Sequence, residues 1–455
     1  MFESVNPSTG ECVERFAEAS DGEIEASLER ARLGQRAWAA LPLSQRTPIL
    51  TQAAGLLREN RAGLAHLAAT EMGKPVTQGR AEIDKCAALC EYYAAQAHTM
   101  LASEHHDIDG ARVELAYDPL GIIFSITPWN FPYWQILRAA VPTLISGNAV
   151  INKPAPNVIG CANAVSELLA RAGMPAGVFQ SLALSNDASA RVIADPRICG
   201  VALTGSERAG SAVASAAGAA LKKTVLELGG SDPFIVLADA DIEAAAHAAA
   251  RSRFSNAGQV CIASKRLIVE APVRAAFEAA FLEAAAAYTP GDPGDESTTL
   301  GPMARSDLRQ ELDDIVTRSI ADGAKVLSRG GPRDGPGWFY APTILGDAQA
   351  DSPMLTRETF GPATVIISAR DADEAVEIAS RTQYGLSANL WTADIDRARA
   401  MARQIEAGGV FINSFTASDP RFPFGGIKRS GYGRELGAAG AREFTNLKTI
   451  WLATP

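Results

Sequence analysis

Ile122-Ile123-Phe124-Ser125-Ile126-Thr127-Pro128-Trp129-Asn130-Phe131-Pro132 is the stretch that decides the fold. A short, largely β-branched apolar run ends at a polar turn bounded by two prolines, and an alanine-rich segment around 133–146 follows with helical character. The unit recurs downstream. Strands read at Ala149-Val150-Ile151-Asn152, Val178-Phe179-Gln180-Ser181-Leu182 and Gly200-Val201-Ala202-Leu203, with helices around 157–172, 187–195 and 207–220. Such β-α-β alternation predicts a parallel, doubly wound sheet whose strands are covered on both faces. A second series opens after Gly229-Gly230, with strands at Pro233–Leu237, Arg266–Val269 and Thr364–Ile367 and helices from 241 and 273. The expected fold is α/β, with two doubly wound domains.

Upstream of 121 the texture is helical. Ser20 or Asp21 can cap a first helix with Leu28, Ala31, Leu33 and Trp38 on its apolar face; Ser44 opens a second, and Met72-Gly73-Lys74-Pro75 stops the next. A long helix is expected over Ile83–Met100, placing Cys86 and Cys90 on one face, and His105-His106-Asp107 reads as a solvated loop. Arg112–Tyr117 alternates polar and apolar like a half-exposed strand, and so does Glu443–Trp451. The latter either completes a sheet of its own chain or offers an edge to a second subunit.

Charge and composition exclude several functions. A net charge of −10 without a basic cluster leaves no footprint for nucleic acid. No apolar run approaches the ~20 residues a membrane helix needs. The first residues, Met1-Phe2-Glu3-Ser4-Val5-Asn6-Pro7, have no secretory signature, so a cytoplasmic location is expected. The six cysteines lack C-x-x-C pairing, and no metal site is expected.

The chemistry gathers at strand ends, where open α/β sheets bind ligands. Phe254-Ser255-Asn256-Ala257-Gly258-Gln259-Val260-Cys261 is too polar for a buried strand and too interrupted by glycine for a helix, so it reads as a loop presenting a thiol. Asn130 lies between prolines and can donate to an oxyanion. Lys153 directly follows a strand and can meet a ribose hydroxyl or a phosphate, or be a surface lysine. In Leu203-Thr204-Gly205-Ser206, Ser206 opens a helix, either as phosphate ligand or as N-cap. Glu227, set between Leu226 and Leu228 ahead of Gly229-Gly230, is either an acid/base or a paired structural charge. No G-x-G-x-x-G occurs at a strand-to-helix junction.

The order of these motifs resembles one family. Thr-Pro-Trp-Asn-Phe-Pro at 127–132, Lys153-Pro154, Thr204-Gly205-Ser206, Glu227-Leu228-Gly229-Gly230, Gly258-Gln259-Val260-Cys261 and Glu358-Thr359-Phe360-Gly361-Pro362 follow one another as in NAD(P)-dependent aldehyde dehydrogenases. The resemblance spans nearly the whole chain, from Val5-Asn6-Pro7 to Pro423-Phe424-Gly425-Gly426. It implies a Rossmann-like NAD(P)-binding domain from 1–103 and 121–228, a catalytic domain from 229–424, and a small β oligomerisation module from 104–120 and 425–455. It assigns Cys261 as nucleophile, Asn130 as oxyanion donor and Glu227 as the base that activates the deacylating water. It assigns Thr127, Trp129, Lys153, Thr204, Gly205, Ser206, Glu358 and Phe360 to the cofactor. Many NAD-preferring members place a glutamate where Pro156 stands, so NAD and NADP both stay open.

Within the family, the residues around Ala155–Val158, Glu227–Leu237 and Ala417-Ser418-Asp419 look closest to bacterial succinate-semialdehyde dehydrogenases. That implies an ω-carboxy aldehyde substrate held by Arg138 and Ser418. The arginine that some relatives carry six residues before the cysteine is Ser255 here, and a redox-switch cysteine two residues after it is replaced by Ala263. A dehydrogenase for simple or ω-amino aldehydes is the alternative. A homodimer or homotetramer is expected.

Overall fold

The computed structural model describes residues 1–453. Two parallel-stranded sheets organise it. The first has six strands; in spatial order these are Gly431–Tyr432, Lys223–Glu227, Ile198–Thr204, Ile122–Thr127, Ala149–Pro154 and Phe179–Ser181, all parallel to their neighbours except the two-residue edge Gly431–Tyr432. Its central strands are buried on both faces, which explains their continuous apolar runs. The second sheet has seven strands, and Pro233–Leu237, Arg266–Val269 and Thr364–Ile367 all fall on or beside its central members.

Helices Asp21–Ala40, Leu43–Glu59, Arg61–Met72 and Val76–Met100 precede the first sheet. Ser20 caps the first of them in a full capping box with Glu23, and Gly73 ends the third in the left-handed conformation at φ +77°. The long helix begins at Val76, directly after Pro75, earlier than the expected Ile83. Cys86 and Cys90 are both buried on it. Leu33 does not share the apolar face of its helix and is exposed, because Leu28, Ala31 and Trp38 already fill the contact.

Three sequence expectations are corrected. His105, His106 and Asp107 lie in a fully exposed strand, Glu104–Ile108, whose polar residues hide it from a pattern search. The strand expected over Glu443–Trp451 starts at Thr445, because Gly437–Glu443 is helical. Of the stretch 425–455, the described residues 425–453 are divided between two sheets. Thr445–Ala453 pairs antiparallel with Ala111–Pro119 in a three-stranded sheet, but Gly431–Tyr432 pairs with Leu226 and Glu227 at the edge of the first sheet. Gly431 makes that possible: at φ +109° it lies so close to the strand that an added Cβ would sit 1.9 Å from the Leu226 carbonyl.

Candidate active site

Cys261 ends an unusual turn. The helix Ile242–Phe254 gives way to a short 3-10 segment, Ser255–Gly258, in which Asn256, Ala257 and Gly258 all have positive φ, at 53°, 52° and 68°. For Asn256 and Ala257 that backbone costs on the order of 1–3 kcal/mol each, so the surroundings must enforce it. They do. Asn256 Nδ2 donates to the Asn130 carbonyl at 2.7 Å, the Asn256 N–H donates to Gln78 Oε1 at 2.7 Å, and Gln259 Nε2 donates to the Asn256 carbonyl at 3.2 Å. Gly258 packs so tightly that a Cβ there would meet the Gly361 carbonyl at 2.5 Å.

Two buried cations finish the clamp. Arg253 Nη2 donates to the carbonyls of Gly258 at 2.8 Å and Thr359 at 3.2 Å, and also to that of Gly361, tying the cysteine turn to the Glu358–Pro362 loop. With no carboxylate in contact, burial pulls Arg253 down to about 9, Glu358 opposing from a distance. Lys265 Nζ donates to the Val260 carbonyl at 3.0 Å and to that of Cys261, and lies 3.5 Å from Glu358 Oε1.

Two cavities meet at Cys261, and both are also lined by Gln135, whose buried Oε1 has no hydrogen-bond partner. The larger, about 720 Å³, is walled by Trp129, Asn130, Thr204, Gly205, Ser206, Glu358 and Phe360. Ser206 is the N-cap of helix Glu207–Ala219, its Oγ accepting from the Ala209 N–H at 3.3 Å, so both earlier readings of this serine meet in one position. The Phe360 and Trp129 rings meet edge-on with centroids 5.7 Å apart. Glu358 Oε1 accepts from the Gly230 N–H at 3.0 Å. A dinucleotide fits this wall. The helix N-terminus favours a phosphate, and at Gly205 an added Cβ would meet nothing closer than 3.9 Å, so the missing side chain leaves room.

Thr127 and Lys153 are not on that wall. They end neighbouring strands in register, Ile126 opposite Lys153, and Thr127 Oγ1 donates to Asn152 Oδ1 at 3.0 Å. Lys153 is buried, which lowers its pKa, and its ammonium meets no acceptor among the described residues.

The smaller cavity, about 180 Å³, is lined by Phe131, Trp134, Phe415 and Phe424 together with Lys85, Arg138, Arg251 and Ser418. Burial works against the charge of Arg138, but its ion pair with Glu435, aided by Glu227 and Cys261, raises its pKa overall. Its Nη2 donates to Thr204 Oγ1 at 3.2 Å and its guanidinium lies 4.8 Å from the centroid of the Phe424 ring.

Asn130 Nδ2 donates one N–H to the Gln259 carbonyl at 2.9 Å, leaving its second N–H for a ligand. Glu227 is buried at the end of strand Lys223–Glu227, yet it lines neither cavity, and both carboxyl oxygens lack a hydrogen-bond partner. Burial, reinforced by Glu435, holds it well above the usual carboxylate range against the opposing pull of Arg138 and Arg434. Burial likewise pushes the Cys261 thiol up to about 11, with Arg138 and Lys265 pulling the other way.

The aldehyde dehydrogenase family model matches residues 1–450. The chain belongs to that family. It is 46% identical over 448 residues to the succinate semialdehyde dehydrogenase Sad of Escherichia coli K12, covering 98% of this chain and 97% of the relative. It is 44% identical to a probable NADP(+) succinate-semialdehyde dehydrogenase of Synechocystis, covering 99% of each. The crystal structure of succinic semialdehyde dehydrogenase from Streptococcus pyogenes with NADP+ superposes on it with a TM-score of 0.97 at 38% identity, covering 100% of each chain. The sequence reading of this aldehyde dehydrogenase missed Lys85, Gln135, Arg251, Lys265 and Glu435. Lys265 alone left a signal, an apolar run broken by a charge just after the nucleophile; the others lie on distant elements brought in by the fold.

Proposed function

We propose that this enzyme oxidises succinate semialdehyde, or a similar short ω-carboxy aldehyde, to the acid with NAD(P)+. The observation that carries this reading is the smaller cavity: a narrow aromatic slot that ends on the nucleophile and is lined by three cations and the Ser418 hydroxyl. An ω-amino aldehyde would be repelled there, and a simple aldehyde would leave Lys85 and Arg251 without an anionic partner among the described residues. The names of the relatives support the same substrate and both cofactors.

Cys261 Sγ attacks the aldehyde carbon, and its proton passes to water as the carbon–sulfur bond forms. The second N–H of Asn130 and the Cys261 backbone N–H hold the oxyanion of the resulting thiohemiacetal. NAD(P)+ held along the larger cavity would supply the two-electron acceptor needed to take the Cys261 adduct to a thioester. Glu227, once deprotonated and turned about its side-chain torsions toward Cys261, takes a proton from the water that attacks the thioester carbonyl, and Cys261 leaves as the thiol. Glu358 and Phe360 orient the nicotinamide end; Trp129, Thr204, Gly205 and Ser206 line the path of the remainder, and Thr127 and Lys153 support it from the strand ends below.

Residues 1–103 and 121–228 serve the cofactor in this reading, and 229–424 the chemistry. The exposed strand Thr445–Ala453 would pair subunits into a homodimer or homotetramer. Six free cysteines suit the reducing cytoplasm. Arg138 and Ser418 belong to the substrate side. The test is initial rates of nicotinamide reduction with succinate semialdehyde and with butanal, each with NAD+ and NADP+. A kcat/KM at least about tenfold higher for the acid-bearing aldehyde is expected; that ratio is only 1.4 kcal/mol, modest for one charge-assisted contact. Parity between the two aldehydes would overturn the substrate assignment. With no carboxylate at Pro156 to repel a 2′-phosphate, turnover with NADP+ is expected as well as with NAD+.

A further inference from the structure

We propose that Lys85 is the cation that reads the substrate's far carboxylate, with Ser418 as its hydrogen-bonded partner. The inference rests on the reading that the substrate is an ω-carboxy aldehyde. Arg138, the arginine marked by sequence, is already occupied: it is ion-paired with Glu435, bonded to Thr204 and covered by the Phe424 ring. Its field reaches Cys261 and Glu227, so it serves the reacting end.

Lys85 is different. It projects from helix Val76–Met100 into the cavity that ends at Cys261. Its Nζ donates to Ser418 Oγ at 2.6 Å and sits 3.9 Å from the centroid of the Trp134 ring. No carboxylate among the described residues lies within ion-pairing distance of it. The nearby Asp419 is already paired with Arg421 at 2.7 Å. A half-buried ammonium without a counter-ion carries an unreturned desolvation cost, and an anionic ligand would return it. The slot supplies the rest of the recognition. Aromatic walls take the methylene chain, the aldehyde meets Cys261, and the free N–H groups of Lys85 with the Ser418 hydroxyl meet the carboxylate. Arg251, unpaired at the same cavity and one helical turn before Ser255, adds positive potential where the family arginine is missing.

The protonation of Lys85 gives a signature that a structural lysine would not. Burial, aided by Arg138 from helix Trp134–Ile145, pulls it down to about 8, against Cys86 and Glu82 on its own helix and Asp419 on the loop. It is charged below that pH and neutral above it, so KM for an acid-bearing aldehyde should rise above about pH 8 while KM for butanal stays flat.

The experiment compares the wild type with Lys85→Met and Lys85→Arg, measuring kcat and KM for succinate semialdehyde and butanal across pH. In Lys85→Met, KM for succinate semialdehyde is expected to rise about ten- to hundredfold, the worth of a hydrogen bond to a charged group. Butanal kinetics should hold within about threefold, which also certifies folding. Lys85→Arg should recover much of the affinity and abolish the rise above pH 8. As a readout besides turnover, succinate should slow alkylation of Cys261 by iodoacetamide in the wild type and not in Lys85→Met. An unchanged KM for succinate semialdehyde in Lys85→Met, or equal losses for both aldehydes, would overturn the role of Lys85 and leave the substrate assignment standing. A wild type that shows no preference for the acid-bearing aldehyde would instead overturn the substrate assignment, and this inference with it.

Discussion

Burial raises the pKa of both Cys261 and Glu227, and it is the main cause in each case. A thiol pushed up to about 11, even with Arg138 and Lys265 pulling it down, is a poor nucleophile at neutral pH until a bound ligand favours the thiolate. Alkylation of the ligand-free enzyme, followed on the Cys261 peptide by mass spectrometry, should therefore accelerate about tenfold for each pH unit between about 7 and 9. A plateau below about pH 8 would mean that the thiol is activated before any ligand arrives. Replacing Glu227 by Gln should permit one burst of reduced cofactor per site, with the steady state slowed by at least about a hundredfold; a normal steady state would remove it from the deacylation step. At this scale a local turn and its chemistry marked Cys261 and Asn130 as candidates, whereas Glu358 entered only through the family resemblance. The sequence was silent on Lys85 and Glu435, since a lysine on a helix and a glutamate after a glycine turn look like ordinary surface residues until packing places them.

The turn Ser255–Gly258 and the loop Glu358–Pro362 are held together by one guanidinium. Arg253→Met would leave three carbonyls without that donor, at about 1–3 kcal/mol for each one left buried and unsatisfied. The expected outcome is a lower thermal midpoint and a loss of turnover that extends to butanal, since both the Cys261 turn and the Glu358–Pro362 loop lose their tie. A variant with wild-type melting and wild-type kcat would show that the backbone turn holds itself. Elements were readable from sequence where burial is two-sided, as in Ile122–Thr127 and Ala149–Pro154. Ser387–Trp391 in the second sheet gave little signal, because Ser387, Ala388 and Asn389 dilute the apolar run although the strand is fully buried, and Gly409–Ile412 offers only three apolar residues in a row. Buried Ser387 and Asn389 are tolerated there because they bond to Asp232 and Thr416.

Across the whole molecule, Thr445–Ala453 is an edge strand with Leu447, Ile450, Trp451 and Leu452 exposed. A free edge carrying so much apolar surface invites pairing with another copy. Trp451→Glu should shift the enzyme toward the monomer in light scattering while leaving the chemistry of an isolated site intact. An unchanged mass would show that subunits pair through another face. The two α/β sheets were foreseeable from alternation alone, whereas the separation of Gly431–Tyr432 from Thr445–Ala453 into different sheets was not, because nothing local tells Gly431 to seek a strand so far back in the chain.

That long-range closure sets the order in which the enzyme is born. Ser430 Oγ donates to the Gly229 carbonyl at 2.7 Å across a separation of 201 residues, beside the pairing of Gly431–Tyr432 with Leu226 and Glu227. During synthesis, the strand that carries Glu227 therefore leaves the ribosome with an open flank and waits for the whole of the second sheet to be translated before it is covered. Nascent chains in that interval display an unpaired edge and hold an incomplete catalytic centre, so a chaperone that shields exposed strands would act on them during this window, and oxidative activity should appear only late in elongation.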